Sequence, residues 1–121
     1  MAITNMAEAQ AAYDQSMASL AAAHAQLNAI AGATPVDWTA YQAALNACNV
    51  LQQTAQNASS VFQAAILDTP AVAALRAKLV ADTATMKART DALTADAGAL
   101  NTLASAATDV SGVLTTISQN V

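Results

Sequence analysis

The sequence predicts an all-α protein: an antiparallel bundle of three long helices with a long or kinked third helix, or alternatively a four-helix bundle broken near Gly98. Three observations carry that prediction. Alanine makes up roughly three in ten residues, and no residue type has a higher helix propensity. Apolar residues recur at seven-residue spacing along the chain, as they do in the seams of antiparallel bundles. Helix stop and start signals interrupt the chain at two internal corners, and no alternating apolar–polar run marks a strand.

The 121 residues fit one domain, 1–121, that buries roughly two-thirds of its unfolded surface. Hydrophobic residues make up 55% of the chain and aromatics 3%. Only about a quarter of the residues are large and apolar, so burial energy per residue is small. A core of this kind depends on close helix approach, near the lower end of the ~8–10 Å interaxial range.

The first helix is expected near 5–31, opening at Asn5 with Glu8 three residues on. Its end is set by Gly32, a residue suited to a C′ position with positive φ. The second is expected near 35–67, with Thr34 as N-cap, Pro35 at N1 and Asp37 at N3. A second Thr-Pro corner, Leu67-Asp68-Thr69-Pro70, opens the third, near 70–119. The apolar rows are Met6, Tyr13, Leu20 and Leu27, flanked by Met17 and Ile30, in the first helix. In the second they are Trp38, Tyr41, Leu45, Cys48, Ala55, Phe62 and Ile66. In the third, Val72, Leu79, Met86, Leu93, Leu100, Ala107, Leu114 and Val121 run without loss of phase. A continuous third helix would measure ~75 Å. Gly98 and the stretch Asp109–Gly112 are its candidate bends, and the unbroken phase argues for continuity.

Composition excludes several functions. The chain holds four Lys and Arg against eight Asp and Glu, for a net charge of -4, and this predicts no nucleic-acid partner. The N-terminus lacks the basic and apolar regions of a cleaved signal peptide. No charge lies between Trp38 and Leu67, but Gln42, Asn46, Asn49, Gln52, Gln53, Gln56, Asn57 and Gln63 spoil that stretch as a membrane span. A soluble, cytoplasmic protein is expected, with export by a route lacking a cleaved signal left open. The alanine-rich coding points to a bacterial source.

No catalytic site is expected. His24, the single histidine, sits among alanines with no carboxylate on its local face, and reads as a structural histidine at the seam edge. Cys48 falls on the apolar row with no cation or base on its own helix, and reads as a buried inert thiol. No two of the eight carboxylates stand three or four residues apart, so no acid–base or di-metal pair is signalled. Phosphate loops, nucleophile elbows and zinc-binding helix motifs are missing. The expectation is therefore a non-enzyme without metal or cofactor.

Two sets of residues are candidates for partner binding. Arg76, Lys78, Lys87 and Arg89 crowd one short span, where Asp82 and Asp91 can form i,i+4 pairs with the two lysines. They read as a solvated face, or more sharply as a polar recognition strip. The row Leu100, Leu103, Val110, Leu114 and Ile117 lies in a stretch whose only charge is Asp109, and something must cover it. A fold back at Gly98 is favoured over a second copy or a foreign partner. The amide-rich second helix offers a further surface for self-association or for another helical protein.

The corner Gly32–Trp38, GATPVDW, contains the only tryptophan. A tryptophan in the corner of a short acidic helical hairpin is similar in size and architecture to the small secreted hairpin proteins that carry a Trp-x-Gly turn. That motif is not met, because Thr39 and Ala40 follow Trp38 and the glycine precedes it. The alanine-rich amphipathic helices resemble those of phasins, which coat polyester granules, but no phasin motif occurs. Trp38 reads as a core anchor closing one end of the bundle. The expected function is a small helical bundle acting through protein–protein contacts, with a carrier or surface-coating protein for apolar ligands or granules as the alternative.

Overall fold

In the computed structural model, which describes residues 3–4 and 6–119, four helices pack together. They are α1 (Ala7–Ala31), α2 (Trp38–Gln63), α3 (Pro70–Asp91) and α4 (Ala97–Ser118). Around the bundle the neighbour order is α1–α2–α4–α3, and α1 and α4 touch only marginally across the diagonal. Helices α1 and α3 run parallel, as do α2 and α4. On the first pair Glu8 meets Arg76 and Ser19 meets Thr90. On the second Thr54 meets Ala107 and Asn57 meets Ser111.

The long third helix of the sequence reading is two helices. The chain turns between Asp91 and Ala97, close to the break at Gly98 that was the alternative. The amide of Ala92 reaches back to the carbonyls of Ala88 and Thr90, and that of Leu93 bonds the Thr90 carbonyl at 3.1 Å. Asp96 then takes an extended N-cap conformation, and the first bond of α4 runs from the Leu100 amide to its carbonyl. Gly98 keeps this start open: a Cβ there would lie 3.0 Å from the Asp96 carboxylate oxygen.

Magnitudes explain why the break wins. A straight helix would leave Leu100, Leu103, Val110, Val113, Leu114 and Ile117 uncovered. Folded back, all six are buried. At about 1.5–3 kcal/mol per large side chain their burial is worth roughly 10–20 kcal/mol. The few helical hydrogen bonds lost at the turn cost about 1 kcal/mol each. The expected fold back is the one observed. The heptad phase survives the turn because α3 and α4 both bury it, through Val72, Leu79 and Met86 on one and Leu100, Ala107 and Leu114 on the other. Val121, the last member of the row, and Asn5, the expected first cap, lie outside the described residues.

The other boundaries also shift. Helix α2 starts at Trp38 rather than 35, because Asp37 and not Thr34 is its N-cap: the Asp37 carboxylate accepts from the Ala40 amide at 3.1 Å. Val36 and Tyr41, in the two positions of a hydrophobic staple, pack on the same core cluster. Gly32 ends α1 with φ -85°, so the expected positive φ is not adopted. At the other end α2 stops at Gln63. Proline disfavours helix for the residue before it, and Thr69 is extended at φ -108°, ψ 161°. Its hydroxyl caps α3 by accepting from the Val72 amide, with Pro70 at N1, as the sequence indicates. The extended chain before it contains a strand the sequence does not signal: Ile66–Leu67 (β2) pairs antiparallel with Ile3–Thr4 (β1).

Apart from Ile30 near its end, helix α1 buries small residues, namely Ala9, Ala12, Ser16, Ser19 and Ala23, while Tyr13, Leu20 and Leu27 lie at the edge and Met17 is exposed. Small side chains on this face let the backbones approach, and α1–α2 is the most extensive helix pair. The hydroxyls of the buried Ser16, Ser19 and Thr54 are satisfied. Ser16 donates to the Ala12 carbonyl at 2.7 Å. Thr90 gives its proton to the Met86 carbonyl at 2.8 Å, so Ser19, 2.7 Å away, must donate to Thr90. Thr54 shares its proton between the carbonyls of Val50, at 2.8 Å, and Ala107 on α4, at 3.1 Å.

Two outcomes follow. Ala12→Leu should destabilise the fold by about 1–3 kcal/mol in denaturant melts, because the close-packed α1 face has no room for it. Glu8 receives Arg76 Nε at 3.1 Å and a terminal guanidinium nitrogen at 2.9 Å, and these hydrogen bonds hold its carboxyl below the usual range. A carboxylate with a lowered folded pKa stabilises above its unfolded pKa, and the gain is lost as pH falls through the folded value. Glu8→Gln should therefore cost about 1 kcal/mol or less at neutral pH, and the gap to the unsubstituted chain should close below about pH 4.3. Melting temperatures across pH 2–7 would check this.

Candidate interaction surface

The four basic residues do not form one strip. Residues 11 apart on a helix share a face, so Arg76 and Lys87 point toward α1 while Lys78 and Arg89 point toward α4. Arg76 is engaged by Glu8 and stands 3.8 Å from Asp68, tying α1, the β2–α3 connection and α3 together. Lys78 and Lys87 make the expected i,i+4 pairs with Asp82 and Asp91, at 2.9 and 2.8 Å. The Asp82 hydrogen bond chiefly, and more weakly Asp109 on α4, favour the charged form of Lys78. Arg89 borders a shallow depression with Thr102 and Asp109. The reading of these four as a single recognition strip is thus replaced by two separate edges.

The second candidate set lies inside the molecule. Leu100, Leu103, Val110, Leu114 and Ile117 are all fully buried within the one chain, so the fold itself covers the row offered as a docking surface. His24 is exposed on α1. Cys48 is buried, and desolvation pushes its thiol up, away from the reactive thiolate. Trp38 is not the core anchor expected of it. It is 65% exposed at the first position of α2, with its ring edge-on to Tyr41 at a centroid distance of 5.5 Å. Once Asp37 becomes the cap, Trp38 sits on the outer side of the first turn, and Ala40, Ala43 and Ala44 take the buried face. Phe62, also read as part of the apolar row, is 40% exposed.

The surface that the molecule does present lies between α2 and α4. An open groove of about 540 Å³ is lined by Asn49, Val50 and Gln53 from α2 and by Thr108, Ser111, Gly112 and Thr115 from α4. A smaller depression of about 60 Å³ continues it past Asn57, Ser60, Leu114 and Ser118. None of these residues is charged. Asp109, the one acid within α4, lines depressions on the α3 side instead.

The groove is mostly apolar in spite of its residue names, because several of its polar groups are already paired. Thr108 and Thr115 donate to the carbonyls of Ala104 and Ser111, both at 2.9 Å. Gln53 donates to the Asn57 amide oxygen at 3.1 Å, and Asn57 in turn donates to the Ser111 hydroxyl at 2.6 Å across the two helices. Val50 and Gly112 supply the rest. A Cβ on Gly112 would meet nothing within 4 Å, so this glycine leaves a notch in the outer ridge of α4.

A second groove, between α1 and α3, has a different character. It measures about 450 Å³ and joins Ala11, Val80 and Ala84 to the charged Asp14 and Lys87. Thr83, which also lines it, has a buried hydroxyl oxygen with no hydrogen-bond partner among the described residues.

Among the described residues, no three His, Cys, Asp or Glu side chains come together to hold a metal ion, and no helix is long and apolar enough to cross a membrane. No family model, curated protein or solved structure matches the chain.

Gly112 gives a direct probe of the groove. Gly112→Ala should raise stability by about 1 kcal/mol in thermal or denaturant melts, since it removes an interior helix glycine and meets no neighbour. A loss of stability would mean that the notch is filled within the chain.

Proposed function

We propose that this chain is a non-enzymatic helical interaction module whose working surface is the uncharged groove between α2 and α4. One observation carries the reading: a continuous two-helix face without a charged side chain, where Gln53, Asn57, Thr108 and Thr115 already donate hydrogen bonds within the chain. Such a surface loses little on desolvation, because it gives up few hydrogen bonds to water. It is suited to an uncharged, small-residue helix laid along the groove. A charged partner would find no counter-charge there and would be buried at a cost.

A carrier of apolar ligands is the second reading, favoured by the size of the groove, which falls within the ~300–1,000 Å³ of small-molecule sites. Its open side and its length along two helices favour a helix over a compact ligand.

The test uses the intact chain as bait in extracts of its source, beside Gly112→Glu and Arg89→Ala variants. A protein retained by the unsubstituted chain and by Arg89→Ala, but lost with Gly112→Glu, is the expected result. Retention by all three would put the working surface elsewhere. Strong enhancement of an apolar dye by the native chain, abolished by Gly112→Glu with no protein captured, would favour the carrier.

A further inference from the structure

We propose that the occupant of the α2/α4 groove is the same face of a second copy of this chain, an inference that rests on reading that face as a docking surface. The first argument is electrostatic. The groove requires a partner surface that is itself free of charge over its whole length. Helix α2 carries no charged residue from Trp38 to Gln63, and α4 has only Asp109, which faces α3. The face therefore meets its own requirement. Two copies joined here keep Glu8, Asp14, Lys87 and Arg89 out of the contact and leave Lys78 and Asp109 at its α3 edge, where they share a depression with Thr108 and Gly112, so the net charge of -4 on each copy is not concentrated at it.

The second argument is one of area. With 26 residues in α2 and 22 in α4, the shared parallel length is at most about 33 Å at 1.5 Å per residue. Two helices at about 9 Å spacing present a face roughly 20 Å wide. The product, roughly 700 Å² from each copy, is close to the ~800 Å² per partner of a standard interface. The symmetry is also economical, because a two-fold axis through the groove brings a surface against itself and closes the assembly at two copies. In that arrangement the notch at Gly112 admits the close approach of another backbone.

Sedimentation of the purified full-length chain tests this without any foreign partner. The unsubstituted chain should show a concentration-dependent dimer. Gly112→Glu and Gln53→Lys should each raise the dissociation constant about tenfold or more, since a two-fold contact places each new charge near its like. Gly112→Ala, which partly fills the notch, should weaken the dimer by less than either charge does. An equimolar mixture of Gly112→Glu and Gln53→Lys should regain association as a mixed dimer. Circular dichroism would confirm that the variants fold, as the open space around Gly112 indicates.

A chain that stays monomeric up to its solubility limit would overturn the proposal. So would a dimer indifferent to both charges, or a mixture that fails to reassociate. A monomer whose face still captures a foreign helical protein, lost with Gly112→Glu, would sink the second copy alone and leave the function proposed above standing.

Discussion

The constraint on which this structure depends is the shortage of large apolar side chains. With alanine filling so much of the sequence, the burial that holds the fold together comes from few residues, and six of them stand on α4. That helix has to be covered on several sides, and the chain is arranged to do so. Helix α2 lies along one flank, α3 reverses into α4 on the other, and α1 closes the bundle through its small-residue face. The alanines contribute chiefly by letting these elements come close, which places more carbon contacts around each of the few large side chains.

The same economy sets where polarity goes. Hydroxyls inside the bundle bond to carbonyls one turn back or across to a neighbouring helix, so Ser and Thr serve as small core residues. The ion pairs gather on α3 and its borders with α1 and α4. Helix α3 buries only Val72, Leu79 and Met86, and it can carry charge because it contributes little else to the core. The opposite side of the bundle has no ion pair among the described residues, and there Gln53 bonds to Asn57, which bonds in turn to Ser111. The molecule is thus divided lengthwise into a charged half and a neutral half.

Much of this was legible in the sequence, for identifiable reasons. Helical character followed from alanine and from the rows of spaced leucines, and the Thr69–Pro70 start from the pairing of a hydroxyl cap with a residue lacking an N–H. The turn at 92–96 was harder to place. Its residues, Ala92, Leu93, Thr94, Ala95 and Asp96, include no proline or glycine, and the seven-residue phase runs straight through it. Only the need to cover α4 gave it away. Trp38 misled because its chemistry suggests burial, whereas its exposure turned on whether Thr34 or Asp37 caps the helix, a shift of three residues. The buried face of α1 was hidden by the alanines around it, since a helix with methyl groups on every side offers no contrast to read. The groove was legible only as an absence of charge on α2. That α4 would lie parallel beside it, adding Thr108, Ser111, Gly112 and Thr115, is a matter of topology beyond periodicity.

The placement of the acids gives the low isoelectric point a local meaning. Each of the four helices has a carboxylate at its N-terminal end: Glu8 for α1, Asp37 for α2, Asp68 just before the cap of α3, and Asp96 for α4. Each stands where the helix dipole is positive, and the interaction is worth about 0.3–1 kcal/mol at an exposed end. The remaining four acids, Asp14, Asp82, Asp91 and Asp109, equal the four basic residues in number. The acidity of the chain is therefore the sum of its helix beginnings. It is a by-product of starting four helices in so short a sequence, and it carries no message about a cationic partner.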